Sequence, residues 1–218
     1  MPHYKEVIMM EHFVITIARE KCAGGLLIAE ELSNRLFIPY YDRDIMRRAS
    51  DVSGINEKLY AANGEDERLG FREMMSAAKK VYTGEVLPPD SNDYVSTKNL
   101  FSFQAKVIKE MAEHESCIII GKCANYLLKD HENVLRLFLY APMEARKARM
   151  AEMNLTWTEK EITKKINSCD KRRSEYYRYY TGDQWRDASN YDVAIDTSKY
   201  GIDGSVDLIL NLLKVYCK

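Results

Sequence analysis

The chain has 218 residues, of which 46% are hydrophobic and 30% are charged, and its formal net charge at pH 7 is −1. This length fits one large domain, and the apolar content is sufficient for a packed core. The nearly neutral charge excludes a global field that would attract nucleic acid or an anionic membrane, so any basic site must be local.

The five cysteines are odd in number and form no Cys-x-x-Cys pair. This pattern predicts reduced thiols rather than a disulfide framework or a zinc site, and the four histidines show no ligand spacing either. The first residues lack the apolar core of a signal peptide, and no apolar run approaches the roughly 20 residues of a membrane helix. We therefore expect a soluble cytoplasmic protein without a metal site of its own, a membrane partner or a nucleic-acid partner. A homo-oligomer stays open.

A short run of apolar and β-branched residues from residue 13 predicts the first strand. A polar turn follows and ends at Gly24-Gly25, and a helix with apolar positions from Leu26 and Leu27 onward continues to residue 36. A strand, a glycine-bearing turn and a helix together direct backbone N–H groups and a helix N-terminus toward an anion.

A working phosphate loop has the pattern G-x-x-x-x-G-K-S/T, whose lysine and hydroxyl contact phosphates and Mg²⁺. If Gly24 is the second glycine, then Arg19 stands at the first glycine, Gly25 at the lysine and Leu26 at the hydroxyl. The spacing is kept, but the cation and the hydroxyl are not. Two interpretations stay open at this point: a phosphate-binding loop, or an ordinary βα turn, which the pattern alone favours.

Pro39 excludes a helix and predicts an extended segment over 37–42. Asp42 is a favourable cap for a helix that we expect over 43–50. This helix carries three arginines, including Arg48. They form either a solvated helix face, which the sequence favours, or a contact between one arginine and a phosphate.

Residues 55–99 are largely polar and contain several glycines and prolines. Asn63-Gly64 and the acidic residues after it are typical of a loop tip, and 87–93 is a loop by composition. We interpret 55–99 as an insertion between two core elements. Long insertions of this kind are often functional lids or mobile segments.

The rest of the chain contains three more predicted strands, each next to a predicted helix. Nearly continuous apolar runs are typical of strands in a parallel sheet that is buried on both faces. Thr158 and Glu161 form a capping box that begins a long helix, which Gly182 ends. The predicted strands are 117–120, 134–140 and 191–196, and the predicted helices are 100–114, 142–153, 158–180 and 206–213.

The alternation of strands and helices predicts an α/β fold: a doubly wound parallel sheet of about five strands, flanked by helices in three layers. Ligands of such sheets bind beyond the carboxyl ends of the strands. That rule selects the residues that follow the predicted strands: 19–25, 42–48, Gly121-Lys122 and the loop after Tyr140.

On the long helix, Asp170 and Arg173 lie three residues apart and share one face. They form either a surface ion pair or part of a lid that clamps phosphates. Basic residues mixed with tyrosines, as at 171–180, also resemble a nucleic-acid surface, but the acidic neighbours and the balanced charge count against it. Lys122, after a buried strand, is either a phosphate contact or a solvated side chain.

With these residues in hand, the chain resembles the cytidylate kinase-like branch of the P-loop nucleoside monophosphate kinases, from residue 13 to residue 213. No single motif carries the resemblance, but five of them occur in the expected order. They are Ile-Thr-Ile-Ala-Arg-Glu at 15–20, Ile-Pro-Tyr-Tyr-Asp-Arg-Asp-Ile-Met-Arg-Arg at 38–48, Ile-Ile-Gly-Lys-Cys-Ala-Asn-Tyr at 119–126, Leu-Phe-Leu-Tyr-Ala-Pro at 137–142 and Tyr-Asp-Val-Ala-Ile-Asp-Thr-Ser at 191–198.

The resemblance implies a single P-loop NTPase-like domain over 1–218, with an acceptor-side insertion at 55–99 and a helical lid at 154–182. It also implies roles for individual residues. The backbone of the loop, with Ala23, Gly24, Gly25, Leu26 and Leu27, cradles the donor phosphates; Asp42, Arg48, Lys122, Asp170 and Arg173 bind the acceptor; Arg172, Arg178 and Arg146 are lid cations; and Arg19 and Lys21 replace the missing loop cation.

The implied activity is transfer of the γ-phosphate of ATP, bound with Mg²⁺, to a nucleoside monophosphate, of which CMP and dCMP are the first candidates. The loop departs from the pattern of the branch, Gly-Ser-Gly-Gly-Arg-Glu, since it reads Cys-Ala-Gly-Gly-Leu-Leu at 22–27. Lys122 also replaces an arginine of the branch. The alternative is therefore a catalytically impaired nucleotide- or phosphate-binding protein with a sensing or partner-binding role. A weaker alternative is a kinase for another small metabolite.

Overall fold

The computed structural model of the chain describes residues 12–67 and 82–216. Within these ranges the chain forms a five-stranded sheet and eight α-helices. The strands are β1 (Val14–Arg19), β2 (Tyr40–Tyr41), β3 (Cys117–Ile120), β4 (Val134–Tyr140) and β5 (Val193–Asp196). The helices are α1 (Gly25–Leu36), α2 (Asp44–Ser53), α3 (Glu57–Ala62), α4 (Thr97–His114), α5 (Ala124–Leu127), α6 (Met143–Met153), α7 (Glu159–Thr181) and α8 (Thr197–Tyr216).

The sheet has the strand order β2-β3-β1-β4-β5, and every strand pair is parallel. The central strand is β1, in which Ile15 lies beside Ile118 of β3 and Leu135 of β4. Because all strands run in the same direction, their carboxyl ends meet at one edge of the sheet. The predicted doubly wound parallel sheet is confirmed.

Helices cover both faces of the sheet and form a three-layer α/β/α arrangement. Ile28 of α1 and Ile209 of α8 pack with one face. Ile45 of α2, Phe101 of α4 and Tyr176 of α7 pack with the other face. All six residues of β1 are buried, which explains why its sequence is nearly continuous in apolar residues.

Local differences from the sequence prediction occur near the first two strands. Only Tyr40–Tyr41 of the extended segment is paired as a strand. The prediction that Asp42 caps the next helix is wrong, because the cap position is Arg43, whose side chain makes no capping hydrogen bond. Leu26 and Leu27 do not join the core; they are 51% and 55% exposed on the outer side of the first turn of α1.

The long helix α7 begins and ends as its sequence predicts. The side chain of Thr158 accepts a hydrogen bond from the backbone N–H of Glu161, and the Glu161 side chain accepts one from the N–H of Thr158. Gly182 ends the helix in a left-handed conformation. Residues 68–81 of the predicted insertion lie outside the described residues. None of the helices in the described ranges is long and apolar enough to cross a membrane.

Candidate active site

The carboxyl ends of β1, β2 and β3 bring together side chains that are distant in sequence. Arg19 is the last residue of β1, Asp42 follows β2, and Lys122 follows β3 by two residues. A guanidinium nitrogen of Arg19 lies 3.7 Å from an oxygen of Asp42. This is the edge of the sheet at which ligands of doubly wound proteins bind.

Glu65, from the turn after α3, fills the space between β1 and β3. Its Oε1 accepts a hydrogen bond from Nη1 of Arg19 at 2.5 Å, and its Oε2 accepts one from the backbone N–H of Lys122 at 3.0 Å. The residue is only 5% exposed. Lys122 is 3% exposed, and its ammonium forms no ion pair within the described residues. Glu65 is therefore an anion enclosed by the ends of two strands.

The next residue, Asp66, makes the corresponding contact with α7. Nε of Arg173, on α7, donates to Oδ1 of Asp66 at 3.0 Å, and Sγ of Cys169 donates to the same oxygen at 3.3 Å. Arg173 also donates from Nη1 to the backbone oxygen of Arg19 at 3.2 Å. We call Arg19, Lys122 and Arg173 the cation cluster, and Glu65 and Asp66 the acidic pair.

The cation cluster keeps the acidic pair ionised. Burial raises the pKa of the Glu65 carboxyl, but the surrounding cations outweigh this effect and lower it to about 2. Burial also raises the pKa of Asp66, but Arg173 and Arg19 hold it well below its usual range. Both carboxylates are therefore charged at neutral pH.

The turn after β3 allows the close approach of Glu65. Gly121 has φ of +70°, and a Cβ atom on it would lie 2.3 Å from Oε2 of Glu65 and 2.4 Å from Nη1 of Arg19. A side chain at position 121 would therefore displace the ion pair.

The space beside Glu65 is almost completely filled, whereas the side chain of Asp66 is half-exposed. A cavity of about 10 Å³ remains beside Glu65 and is lined by Arg19, Arg173, Asn125 and Trp185 among others. A cavity of this size holds about one water molecule. No group larger than a water molecule therefore fits beside Glu65 in this arrangement.

Next to this cluster, the loop between β1 and α1 forms an uncapped helix N-terminus. Gly24, with φ of +84°, is the cap residue of α1, and no side chain caps the helix. The first N–H groups of a helix have no partner within the helix, and here they belong to Gly25, Leu26 and Leu27. Such N–H groups, together with the helix dipole, form a binding site for phosphate oxygens. The backbone of the loop thus fits the donor phosphates that the resemblance implies.

Side chains from three other elements hold the loop in its shape. Oδ1 of Asp170, on α7, accepts a hydrogen bond from the backbone N–H of Lys21 at 2.7 Å. Nη1 of Arg149, on α6, donates to the carbonyl of Cys22 at 3.2 Å, and Oγ1 of Thr197, on α8, donates to the carbonyl of Ala23 at 2.8 Å. The loop conformation is therefore fixed by contacts that its own sequence does not contain.

Asp170 also belongs to a second charged network beside the loop. Nη1 of Arg146 donates to Oδ2 of Asp170 at 2.5 Å, and Nη2 of Arg186 lies 3.3 Å from the same oxygen. Arg186 and Arg146 also form ion pairs with Glu20, at 2.7 Å and 3.4 Å. Two arginines thus lie against the base of the loop.

The missing loop lysine has a steric explanation. A Cβ atom on Gly25, the position of the lysine, would lie 2.9 Å from Cγ of Arg19. The side chain of Arg19 therefore crosses position 25 on its way to Glu65. Leu26, at the hydroxyl position, offers no oxygen to a metal, and the described residues contain no group of three or more metal-ligating side chains.

The structure does not bring every predicted residue into this cluster. Nη2 of Arg48 donates to the hydroxyl of Tyr41 at 2.8 Å, and the guanidinium forms an ion pair with Glu115. Lys21 is half-buried beside the loop and forms no ion pair within the described ranges. Arg172 is half-buried, and its Nε has no hydrogen-bond partner in the described part of the chain. The roles assigned to these three residues stay predictions.

Sequence reasoning missed several residues that the structure places in the site. The sequence predicts a loop tip at the acidic pair, and the structure has a turn there. No pattern in the neighbouring sequence indicates that Glu65 is buried. Arg149 could have been found from the sequence, because it lies in the helix that directly follows the predicted strand 134–140. The residues missed are Glu65, Asp66, Arg149, Arg186 and Thr197; Glu20 lies in the selected range 19–25 but was given no role of its own.

Comparison with known proteins identifies the family. The family model described as the cytidylate kinase-like family matches residues 14–199. No curated protein sequence matches the chain.

Three solved structures share the fold at low sequence identity. An uncharacterised protein from Eubacterium ventriosum ATCC 27560 has 22% identity and a TM-score of 0.67, over 93% of this chain and 99% of that one. Shikimate kinase from Bacteroides thetaiotaomicron has 13% identity and a TM-score of 0.52, over 93% and 98%. Shikimate kinase from Acinetobacter baumannii, in complex with shikimate, has 14% identity and a TM-score of 0.50, over 95% and 96%. The fold is that of P-loop kinases, and the chain belongs to the cytidylate kinase-like family.

Proposed function

We propose that this protein is an ATP-dependent phosphotransferase whose acceptor is a nucleoside monophosphate, with CMP and dCMP as the first candidates. One observation carries the proposal. The cation cluster of Arg19, Lys122 and Arg173 encloses an anion directly beside the uncapped N-terminus of α1. Transfer of a phosphoryl group between two phosphates needs two adjacent anion sites of this kind.

The donor side is a backbone site. The N–H groups of Gly25, Leu26 and Leu27 would receive phosphate oxygens, and Arg146 and Arg186 lie behind the loop. When bound with ATP, Mg²⁺ would supply charge neutralisation of the donor phosphates. The protein would contribute position and orientation, while Asp170 keeps the loop in place through the N–H of Lys21.

The acceptor side is the place of the acidic pair. A phosphate there would accept hydrogen bonds from Arg19 and from the N–H of Lys122, which now go to Glu65. Arg173 would contact the same phosphate with a guanidinium that is now bound to Asp66. Arginine suits this task because it donates two parallel hydrogen bonds to phosphate oxygens.

The test is calorimetric titration of the full chain with CMP, dCMP and Mg·ATP, each alone and then in pairs, followed by a turnover assay. We expect CMP or dCMP to bind, an Arg173→Lys variant to bind it at least about tenfold more weakly, and paired nucleotides to be turned over. Arg136→Lys is the matched control. Arg136 lies on β4, outside the cation cluster, and forms an ion pair with Asp192, the residue before β5. If no nucleoside monophosphate binds at millimolar concentration, the proposed acceptor is wrong.

A second candidate function is nucleotide binding without turnover, in a sensing or partner-binding role. The observation in its favour is that Gly25 and Leu26 occupy the positions of the loop lysine and hydroxyl, and that Arg19 blocks a side chain at position 25. Loss of a cation at a phosphoryl-transfer site commonly costs several kcal/mol of transition-state stabilisation. Binding of both nucleotides with no product formed would favour this function over the first.

A further inference from the structure

We infer that Glu65 and Asp66 compete with the anionic group of the acceptor for the cation cluster. They thereby lower the apparent affinity of the site for every anion that binds there. The inference rests on the proposed function, because it assigns the cation cluster to an acceptor phosphate. It goes further because it assigns the regulation of anion binding to two residues of the predicted insertion, 55–99, rather than to the core of the fold.

The competition follows from shared hydrogen-bond donors. Each carboxylate oxygen of Glu65 is used, one by Arg19 and the other by the N–H of Lys122. Nε of Arg173 donates to Asp66 in the same way. The remaining cavity of about 10 Å³ leaves no room for a phosphate beside Glu65. An acceptor phosphate and the acidic pair therefore exclude each other.

The exchange is also balanced in charge. The acidic pair carries two negative charges, and a phosphate monoester carries about −1.5 to −2 at pH 7. Departure of the carboxylates without a replacement would leave buried cations without partners, which is strongly unfavourable. The acidic pair thus keeps the empty site compact, and a dianionic ligand replaces it at little electrostatic cost.

The acidic pair has a local attachment that permits its exchange. It lies in a turn at the end of α3, where the N–H of Gly64 bonds to the carbonyl of Ala61 and the N–H of Glu67 bonds to the carbonyl of Gly64. α3 itself is anchored by the buried Tyr60, whose hydroxyl contacts Ser53 and the carbonyl of Ala49. The turn can therefore withdraw from the cation cluster while the helix that carries it stays in place.

An internal competitor has a specific thermodynamic signature. The apparent affinity of any ligand is reduced by the fraction of molecules in which the competitor is absent from the site. That fraction is a property of the protein alone, so every anion that uses the site is weakened by the same factor. A residue that contacts one ligand directly would instead change the ratio between two ligands.

The experiment uses the full chain and its Glu65→Gln and Asp66→Asn variants, titrated with inorganic phosphate and with CMP. Glu67→Gln is the matched control, because it removes the same charge from an exposed position of the same turn. Binding is followed by calorimetry and by the fluorescence of Trp185, which lines the cavity; a Trp157→Phe background removes the other tryptophan. Asp66 has a half-exposed side chain, so Asp66→Asn keeps the test valid if Glu65→Gln does not fold.

We expect each of the two variants to bind inorganic phosphate and CMP about tenfold more tightly or better, by the same factor for both ligands, with no change in Glu67→Gln. Affinities within about twofold of the parent protein in both variants would overturn the inference, as would unequal factors for the two ligands. If phosphate binding tightens while CMP binds no better than phosphate in any variant, the competitor is supported and the proposed acceptor fails.

Discussion

Arg19 and Glu65 are 46 residues apart in sequence, and their side chains form a buried ion pair of 2.5 Å between the end of the central strand and the turn after α3. Neither charge has an extensive contact with solvent, since the side chains are 9% and 7% exposed. The pair therefore ties the turn after α3 to the end of the central strand.

The first prediction concerns the stability cost of removing this carboxylate. Glu65→Ala removes the closest partner of the buried guanidinium of Arg19, which keeps only the longer contact with Asp42, and we expect the free energy of unfolding to fall by about 3 kcal/mol. Urea denaturation followed by circular dichroism measures this change. In Glu67→Ala, at an exposed position of the same turn, the change should stay within about 0.5 kcal/mol. Equal stability losses in both variants would contradict the ion pair.

The second prediction concerns pH. The pKa of Glu65 is about 2 in the folded protein, below its ordinary value of 4.5. A lowered pKa stabilises the folded state above pH 4.5, and that contribution disappears as the pH falls from about 4.5 to about 2. A shift of this size corresponds to roughly 3 kcal/mol. Urea unfolding measured between pH 6 and pH 2 should show this loss.

The matched variant for the pH measurement is Glu65→Gln, which cannot titrate. Its unfolding free energy should decline less steeply over the same interval, although Asp66 still contributes a decline of the same sign. Identical slopes in the variant and the parent protein would show that Glu65 is not the titrating group.

The third prediction concerns the close approach at the turn after β3. Gly121→Ala should destabilise the protein in two ways, through its φ of +70° and through contacts of 2.3–2.4 Å with Glu65 and Arg19. Gly54→Ala is a matched control, because Gly54 has φ of +71° and no atom within 4 Å of the added Cβ. Thermal unfolding should show a loss for Gly121→Ala that exceeds the loss for Gly54→Ala by at least about 1 kcal/mol. Equal losses would mean that the side chains of Glu65 and Arg19 move away from the added Cβ without a loss of stability.

The fourth prediction concerns the support of the phosphate loop by Asp170. Asp170→Ala removes the acceptor for the N–H of Lys21, so we expect faster hydrogen exchange at that amide and weaker binding of Mg·ATP. Asp170→Asn keeps an oxygen for the N–H but removes the charge that pairs with Arg146. The exchange rate should therefore stay close to that of the parent protein in Asp170→Asn. Rapid exchange in both variants would show that charge, rather than the hydrogen bond, holds the loop.

Much of the fold follows from local sequence patterns. The strands β3 and β4 were predicted with their exact bounds because apolar runs in a sheet buried on both faces have few alternatives. The helix α7 was predicted from a capping box and a terminal glycine. The cap assigned to Asp42 was wrong because α2 begins one residue later than predicted, which puts Arg43 at the cap position, and the Asp42 carboxylate lies 3.7 Å from Arg19 instead. Local patterns identify elements better than they identify the partners of a polar side chain.

The site was predictable only in part, for the same physical reason. Residues at the ends of strands, such as Arg19 and Lys122, are brought together by the rule that parallel strands end at one edge. The acidic pair comes from an insertion, and nothing in a run of Gly-Glu-Asp-Glu distinguishes a buried anion from a solvated turn. Its partners are supplied by β1, the turn after β3 and α7, so only the assembled fold reveals it.

The crossing of Arg19 over Gly25 couples two of the three departures of the loop from the phosphate-loop pattern, those at the first glycine and at the lysine. A lysine at position 25 collides with Cγ of Arg19, and a glycine at position 19 leaves Glu65 without its guanidinium. Neither substitution alone leads back toward the common pattern without a loss of stability. The two positions are therefore epistatic, and restoring the glycine and the lysine of the usual loop requires replacing Arg19, Gly25 and Glu65 together.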